Sequence, residues 1–128
     1  MDHRQVVRIL SALRVTIGAT LLVAPGAAGR RWIGEPARDP RVKAVLRGLG
    51  ARDLALGLGA LRALDQGAPA RGWVQLAAVG DLADAASGLL AARRLGPVRA
   101  LGTVLTAGAA GALGLAVADR VDEGNRPL

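Results

Sequence analysis

The stretch ALGTVLTAGAAGALGLAVA, residues 100–118, constrains this chain more than any other part of it. It carries no charge, and Thr103 and Thr106 are its only polar side chains. A helix on the surface of a soluble bundle needs a polar stripe for water, and this segment has none. Roughly 20 apolar residues at 1.5 Å per residue cross the hydrocarbon of a bilayer. Residues 100–118 therefore have both the length and the purity of a membrane span.

Three earlier segments have similar length, at residues 6–24, 42–64 and 73–92. The first stops at APGAAG. The stretch RRWIGEPARDPR that follows reads as a polar loop in which Pro36 and Pro40 oppose helix. DQGAPARG separates the second segment from the third, and RRLGP puts Pro97 where the last helix can begin. DRVDEGNRPL, residues 119–128, reads as a polar tail. The pattern predicts an all-α fold in one domain: an antiparallel, up-down-up-down four-helix bundle, integral and multi-pass in the cell membrane. Arg4, Arg8 and Arg14 before VTIGATLLVA resemble the start of a secretory signal. With three further apolar segments and no A-x-A cleavage site after it, the segment is read as a retained helix.

Composition agrees. Hydrophobic residues make up 52% of the chain but aromatic ones only 2%, whereas soluble cores draw much of their burial from aromatic rings. Glycine weakens a soluble helix by about 1 kcal/mol relative to Ala, yet helices in lipid use small residues to approach closely. The absence of Cys excludes disulfides, thiol chemistry and Cys-based metal sites. His3, alone near the N-terminus, reads as solvated, so neither a metal site nor a cofactor is expected.

A net charge of +7 raises the question of nucleic acid. The basic residues gather between apolar segments instead of forming one stripe, and only Trp32 and Trp73 could stack on bases. No nucleic-acid motif accompanies them, and no nucleic-acid partner is expected. Basic residues flanking apolar segments are what membrane insertion produces. Arg30, Arg31, Arg38, Arg41, Lys43, Arg93, Arg94 and Arg99 fall on one side. Arg4, Arg8, Arg62, Arg71, Arg120 and Arg126 share the other side with the termini. The imbalance places both termini outside the cytoplasm, with Trp32 and Trp73 at opposite interfaces.

Five charges interrupt the apolar segments, all at one depth. Arg14 lies mid-way along the first, Arg52 and Asp53 along the second, and Asp81 and Asp84 along the third. An ionised residue at a helix centre costs about 2.5–3.5 kcal/mol on insertion scales, so five unpaired ones would cost on the order of 12–17 kcal/mol. They must turn inward and meet one another or water. Adjacent residues point about 100° apart on a helix, so Arg52 and Asp53 should find partners on other helices. Asp81 and Asp84, three apart, share a face. The simplest arrangement sets Arg52 against those two carboxylates and Asp53 against Arg14, with swapped partners as the alternative. Three Asp against two Arg also leaves an excess carboxylate, and two carboxylates on one dry face favour a shared proton. Such a cluster either fixes helix register or forms a site for a ligand, proton or substrate. Gly57, Gly59, Gly80 and Gly88 would let the second and third helices close around it.

No phosphate loop, dinucleotide fingerprint or serine elbow appears. Gly108, Gly111 and Gly114 line up at a spacing of three on the fourth segment. That stripe is read as an intramolecular packing face, or as the seam of a homo-oligomer.

The succession LRV…GATLLVAPGAAGRRWIG, RGLGARDLALGLGAL and GDLADAASGLLAARRL resembles small four-span membrane proteins of the DoxX-like group, notably in its central G-x-R-[DE] within a Gly/Leu helix. The resemblance implies a four-helix integral membrane bundle. Relatives in that group are associated with redox membrane complexes; no side chain here supplies a redox group, and that activity is not carried over. Two functions are expected from the residues. One is a non-catalytic protein of the bilayer that binds a lipophilic small molecule or serves as a subunit of a membrane assembly. The other is a compact intramembrane enzyme, an isomerase, epoxide hydrolase or cyclase, in which Asp53, Asp81 or Asp84 supplies acid/base chemistry. A cavity reaching the carboxylates would separate a working site from closed structural pairing.

Overall fold

The computed structural model describes residues 2–123; Arg126 and the end of the polar tail lie outside the described residues. Within them the chain is helical throughout: α1 (His3–Val23), α2 (Pro25–Ile33), a 3-10 turn (Glu35–Arg38), α3 (Pro40–Asp65), α4 (Arg71–Leu90), the single turn α5 (Ala92–Leu95) and α6 (Pro97–Ala118). The stretch expected to be a loop is largely helix. Pro25, Pro40 and Pro97 each open a helix at its first turn, where the missing N–H is no loss and the fixed φ suits the helix. Pro97 begins the last helix as expected, whereas Pro25 and Pro40, in stretches expected to interrupt helix, are helix starts as well. Gly34 and Gly96, both at φ 81°, make the reversals after α2 and before α6. That left-handed conformation is open to glycine at little cost. Asp39 accepts a hydrogen bond from the Arg41 amide at 2.8 Å and caps α3.

The long helices pack as two close pairs, α1 with α3 and α4 with α6, and α3 joins them to form the bundle by lying against α4. In the first pair Gly18 meets Gly50 and Ser11 meets Gly57, so small residues seven apart on each helix face each other in antiparallel order. A Cβ built on Gly18 would sit 2.6 Å from the Gly50 carbonyl oxygen and from the Leu54 amide nitrogen. The backbones are therefore as near as glycine permits. In the second pair Gly88 packs on Thr103, Gly111 on Leu82 and Gly114 on Ala78. The stripe read as an intramolecular face or a dimer seam is thus covered, at Gly111 and Gly114, by α4. The four glycines expected around the second and third helices divide differently. Gly59 and Gly80 serve α3 and α4, whereas Gly57 admits α1 and Gly88 admits α6.

The polar tail is also more than polar. Val121 is buried with Val7, Leu64 and Val74. Asp122 accepts from the Ala70 and Arg71 amides at 3.0 and 3.1 Å. These are orphan donors at the start of α4, which has no capping side chain of its own.

Between its charged ends the bundle exposes many apolar side chains, and charge lies buried in its middle. Ile9, Leu13 and Ile17 of α1, Leu76 and Val79 of α4, and Leu101 and Leu105 of α6 are all exposed, while Asp53 and Asp81 are buried. α1 and α6 are long and apolar enough to cross a membrane, with only 22% and 28% of their most apolar windows buried inside the structure. A core helix of a soluble protein would be mostly covered. α3 and α4 are of comparable length and carry charges in mid-course.

Candidate functional site

Arg14, Arg52, Asp53, Asp81 and Asp84 form one cluster between α1, α3 and α4. Arg14 reaches across the bundle, donating from Nη1 to Asp53 Oδ1 at 3.0 Å and from Nη2 to Asp81 Oδ2. Arg52 donates from Nη2 to Asp84 Oδ2 at 2.7 Å and to Asp53 Oδ1 at 3.0 Å. Two expectations are corrected by this geometry. Asp81 belongs to Arg14 and not to Arg52. Arg52 also pairs with its own neighbour, because its long side chain curls back far enough for Nε and Nη2 to reach Asp53. The 100° between adjacent residues separates the Cβ atoms but does not bind the tip of an arginine. Asp81 and Asp84, expected to compete for one proton, face different guanidinium groups.

Local sequence explains the convergence. Arg14 lies between Ser11 and Gly18, and Asp53 between Gly50 and Gly57. The close backbone contacts at Gly18–Gly50 and Ser11–Gly57 bracket the pair above and below and hold α1 at ion-pair distance from α3. Gly80 clears room for the Arg52 guanidinium, whose carbon would lie 3.4 Å from a Cβ there. Asp53 and Asp81 are buried and the Arg14 side chain is largely covered, whereas the Arg52 side chain is 34% exposed. Arg52 thus stands at the outer edge of the cluster, on the α3/α4 seam.

An elongated cavity of about 650 Å³ runs between the two helix pairs. Its wall extends along α1 from Val7 to Thr20, roughly 20 Å at the helical rise. Trp73 and Val74 line one end, and Arg31 and Trp32 line the other. Arg14, Asp53, Asp81 and Asp84 form its polar band half-way along, and Leu, Val, Ala and Thr side chains make up most of the rest. α1 and α6 touch each other sparsely. Along that seam the exposed Leu13, Thr16, Ile17 and Thr106 also line the cavity, which is open to the outside there.

Comparison with family models, with curated proteins and with solved structures found no match. The chemistry of the site therefore rests on its own geometry.

Two wall residues carry no signal that sequence reading used. Trp32, expected at a membrane interface, is one. It donates its indole N–H to Thr103 Oγ1 at 2.6 Å, tying α2 to α6 across one end of the cavity. Arg31, grouped with the flanking positive charges, lines that same end. The amphipathic order RRWI, helical once Pro25 starts α2, is the only hint in the sequence. Among the described residues no group of His, Cys, Asp and Glu is arranged to hold a metal ion. Oxygen Oδ2 of Asp53 and Oδ1 of Asp81 accept no hydrogen bond from the described residues, and neither is sealed from the cavity. The arrangement can therefore receive a polar group of a ligand, or exchange a proton with one.

Proposed function

We propose that this chain is a four-span integral membrane protein of the cell membrane whose central cavity holds a lipophilic small molecule. The observation that carries the reading is the cavity itself: about 650 Å³, apolar along most of its length, with the buried carboxylates opening onto it. Ligand sites fall between about 300 and 1,000 Å³ and combine apolar walls with a few convergent polar groups. Membrane residence is supported by the inversion of polarity. Large contiguous apolar surfaces are rare on soluble monomers, and charges within spans turn toward the interior of a bundle. α3 and α4 would cross despite their charges because Arg14 and Arg52 neutralise most of them inside the protein. This reading keeps the chain beside the DoxX-like four-span proteins it resembles.

A second reading uses the same access. Carboxylates sealed in a closed network would serve packing alone. Asp53, Asp81 and Asp84 instead line open space, so a compact enzyme using Asp acid/base chemistry on an apolar substrate fits the same site. Membership of a larger membrane assembly is compatible with either reading.

The test is fractionation followed by extraction. The protein should remain in membranes after alkaline carbonate washing and come out only with detergent. Mass spectrometry of the mildly purified protein should show a lipophilic compound that is absent when Ala107, in the cavity wall, is replaced by Phe. Release by carbonate, or the same compounds with and without the cavity, would overturn the proposal. Conversion of the bound compound by the parent but not by Asp81→Asn would favour the enzyme.

A further inference from the structure

The charge balance of the cluster goes further than the cavity and concerns what kind of molecule fits it. Three carboxylates face two guanidinium groups, leaving one negative charge in excess at the middle of the cavity wall. The surplus is local. Asp53 Oδ1 already takes hydrogen bonds from both Arg14 and Arg52, while its Oδ2 takes none from the described residues. Asp81 spends Oδ2 on Arg14, and its Oδ1 takes no hydrogen bond from the described residues. Both aspartates are only 8% exposed, and both line the cavity. Arg52, the cluster's other counter-charge, is not part of that wall and sits on the α3/α4 seam, and Arg31 lines the cavity only at its far end, beside Trp32. Excess negative charge is costly away from water and favours a cationic partner over an anionic or neutral one.

We infer that the cavity takes a lipophilic cation, an elongated apolar molecule bearing one protonated amine, whose N–H groups meet Asp53 Oδ2 and Asp81 Oδ1. The inference rests on the reading of the cavity as a ligand site and adds the charge of the ligand to it. The apolar body would extend along the walls toward Trp73 or Trp32. Entry would follow the open α1/α6 seam, past Thr16 and Thr106, directly from the lipid.

A charge series on the unmodified chain, with two variants as controls, tests this. Radiolabelled dodecylamine, which is an ammonium ion at pH 7, is bound to the full chain in neutral detergent. It is then displaced with unlabelled dodecylamine, dodecanol or dodecanoate. The expected result is saturable binding, with dodecanol and dodecanoate at least tenfold weaker as competitors. Ala107→Phe, which obstructs the cavity and leaves the cluster intact, should abolish binding; Asp81→Asn should weaken it at least tenfold. Equal competition by all three compounds, lost together in Ala107→Phe, would overturn the cationic preference while leaving the cavity a ligand site. No saturable binding of any of the three, or binding indifferent to Ala107→Phe, would overturn both.

Discussion

Arg14, on α1, holds Asp53 on α3 and Asp81 on α4, and so ties three helices together. Replacing it with Leu strips Asp81 of the arginine it pairs with and leaves Asp53 to Arg52 alone, and breaking a buried pair from one side costs roughly 3–5 kcal/mol. Arg52 is more exposed, and its loss still leaves Asp53 paired with Arg14. Arg14→Leu should therefore destabilise the protein by about 3–5 kcal/mol and Arg52→Leu by clearly less, measured by denaturant unfolding in mild detergent. Equal losses would mean that Arg14 is not the centre of the cluster. By contrast, Arg8–Asp65 and Arg71–Asp119 are exposed pairs of the kind that contribute about 0–1 kcal/mol. That five charges share one depth was legible from residue spacing alone. Which carboxylate each arginine takes was not, because that depends on helix rotation and on the reach of a flexible side chain.

At the scale of the element, the α1/α3 contact rests on glycine where backbone meets backbone. Gly18→Val would place side-chain carbon against the Gly50 carbonyl and the Leu54 amide, and neither can swing aside as a side chain would. The expected cost is about 1–3 kcal/mol of overpacking, together with weaker Arg14–Asp53 pairing as the helices part. Gly102, on the exposed side of α6, has nothing within 4 Å of its Cβ position. Gly102→Ala should be neutral or stabilising by up to about 1 kcal/mol, since only helix propensity changes. Thermal unfolding of the two variants side by side checks both. The sequence showed that small residues abound, and helix-pair membership distinguishes the tight glycines from the idle ones. Ser11 with Gly18, and Gly50 with Gly57, repeat at seven residues, but the repeat acquires meaning only when α1 and α3 are seen as partners.

For the whole molecule, positive charge is concentrated at one end. Arg30, Arg31, Arg38, Arg41, Lys43, Arg47, Arg93, Arg94 and Arg99 lie there against only Glu35 and Asp39. At the other end Arg4, Arg8, Arg62, Arg71 and Arg120 are matched by Asp2, Asp65, Asp119, Asp122 and Glu123. In the proposed membrane setting the first end faces the cytoplasm, since Lys and Arg in short loops set orientation. The chain lacks Cys, so single introduced cysteines report without background. An impermeant maleimide added to intact cells should label Gln66→Cys and spare Val98→Cys. The opposite pattern would invert the topology, and labelling of both would argue against a sealed four-span arrangement.

The sequence by itself determined an all-helical chain, the uncharged 100–118 helix and the common depth of Arg14, Arg52, Asp53, Asp81 and Asp84. These follow from composition and from a rise per residue that is the same in every helix. Tertiary structure alone decided the rest. It turned Pro25 and Pro40 into helix starts, folded Val121 and Asp122 back onto α4, and drew α1 onto α3 until glycine backbones touched. It also left the two helix pairs far enough apart to enclose a cavity. Such features depend on how side chains of different helices share space, and distance along the chain carries no record of that.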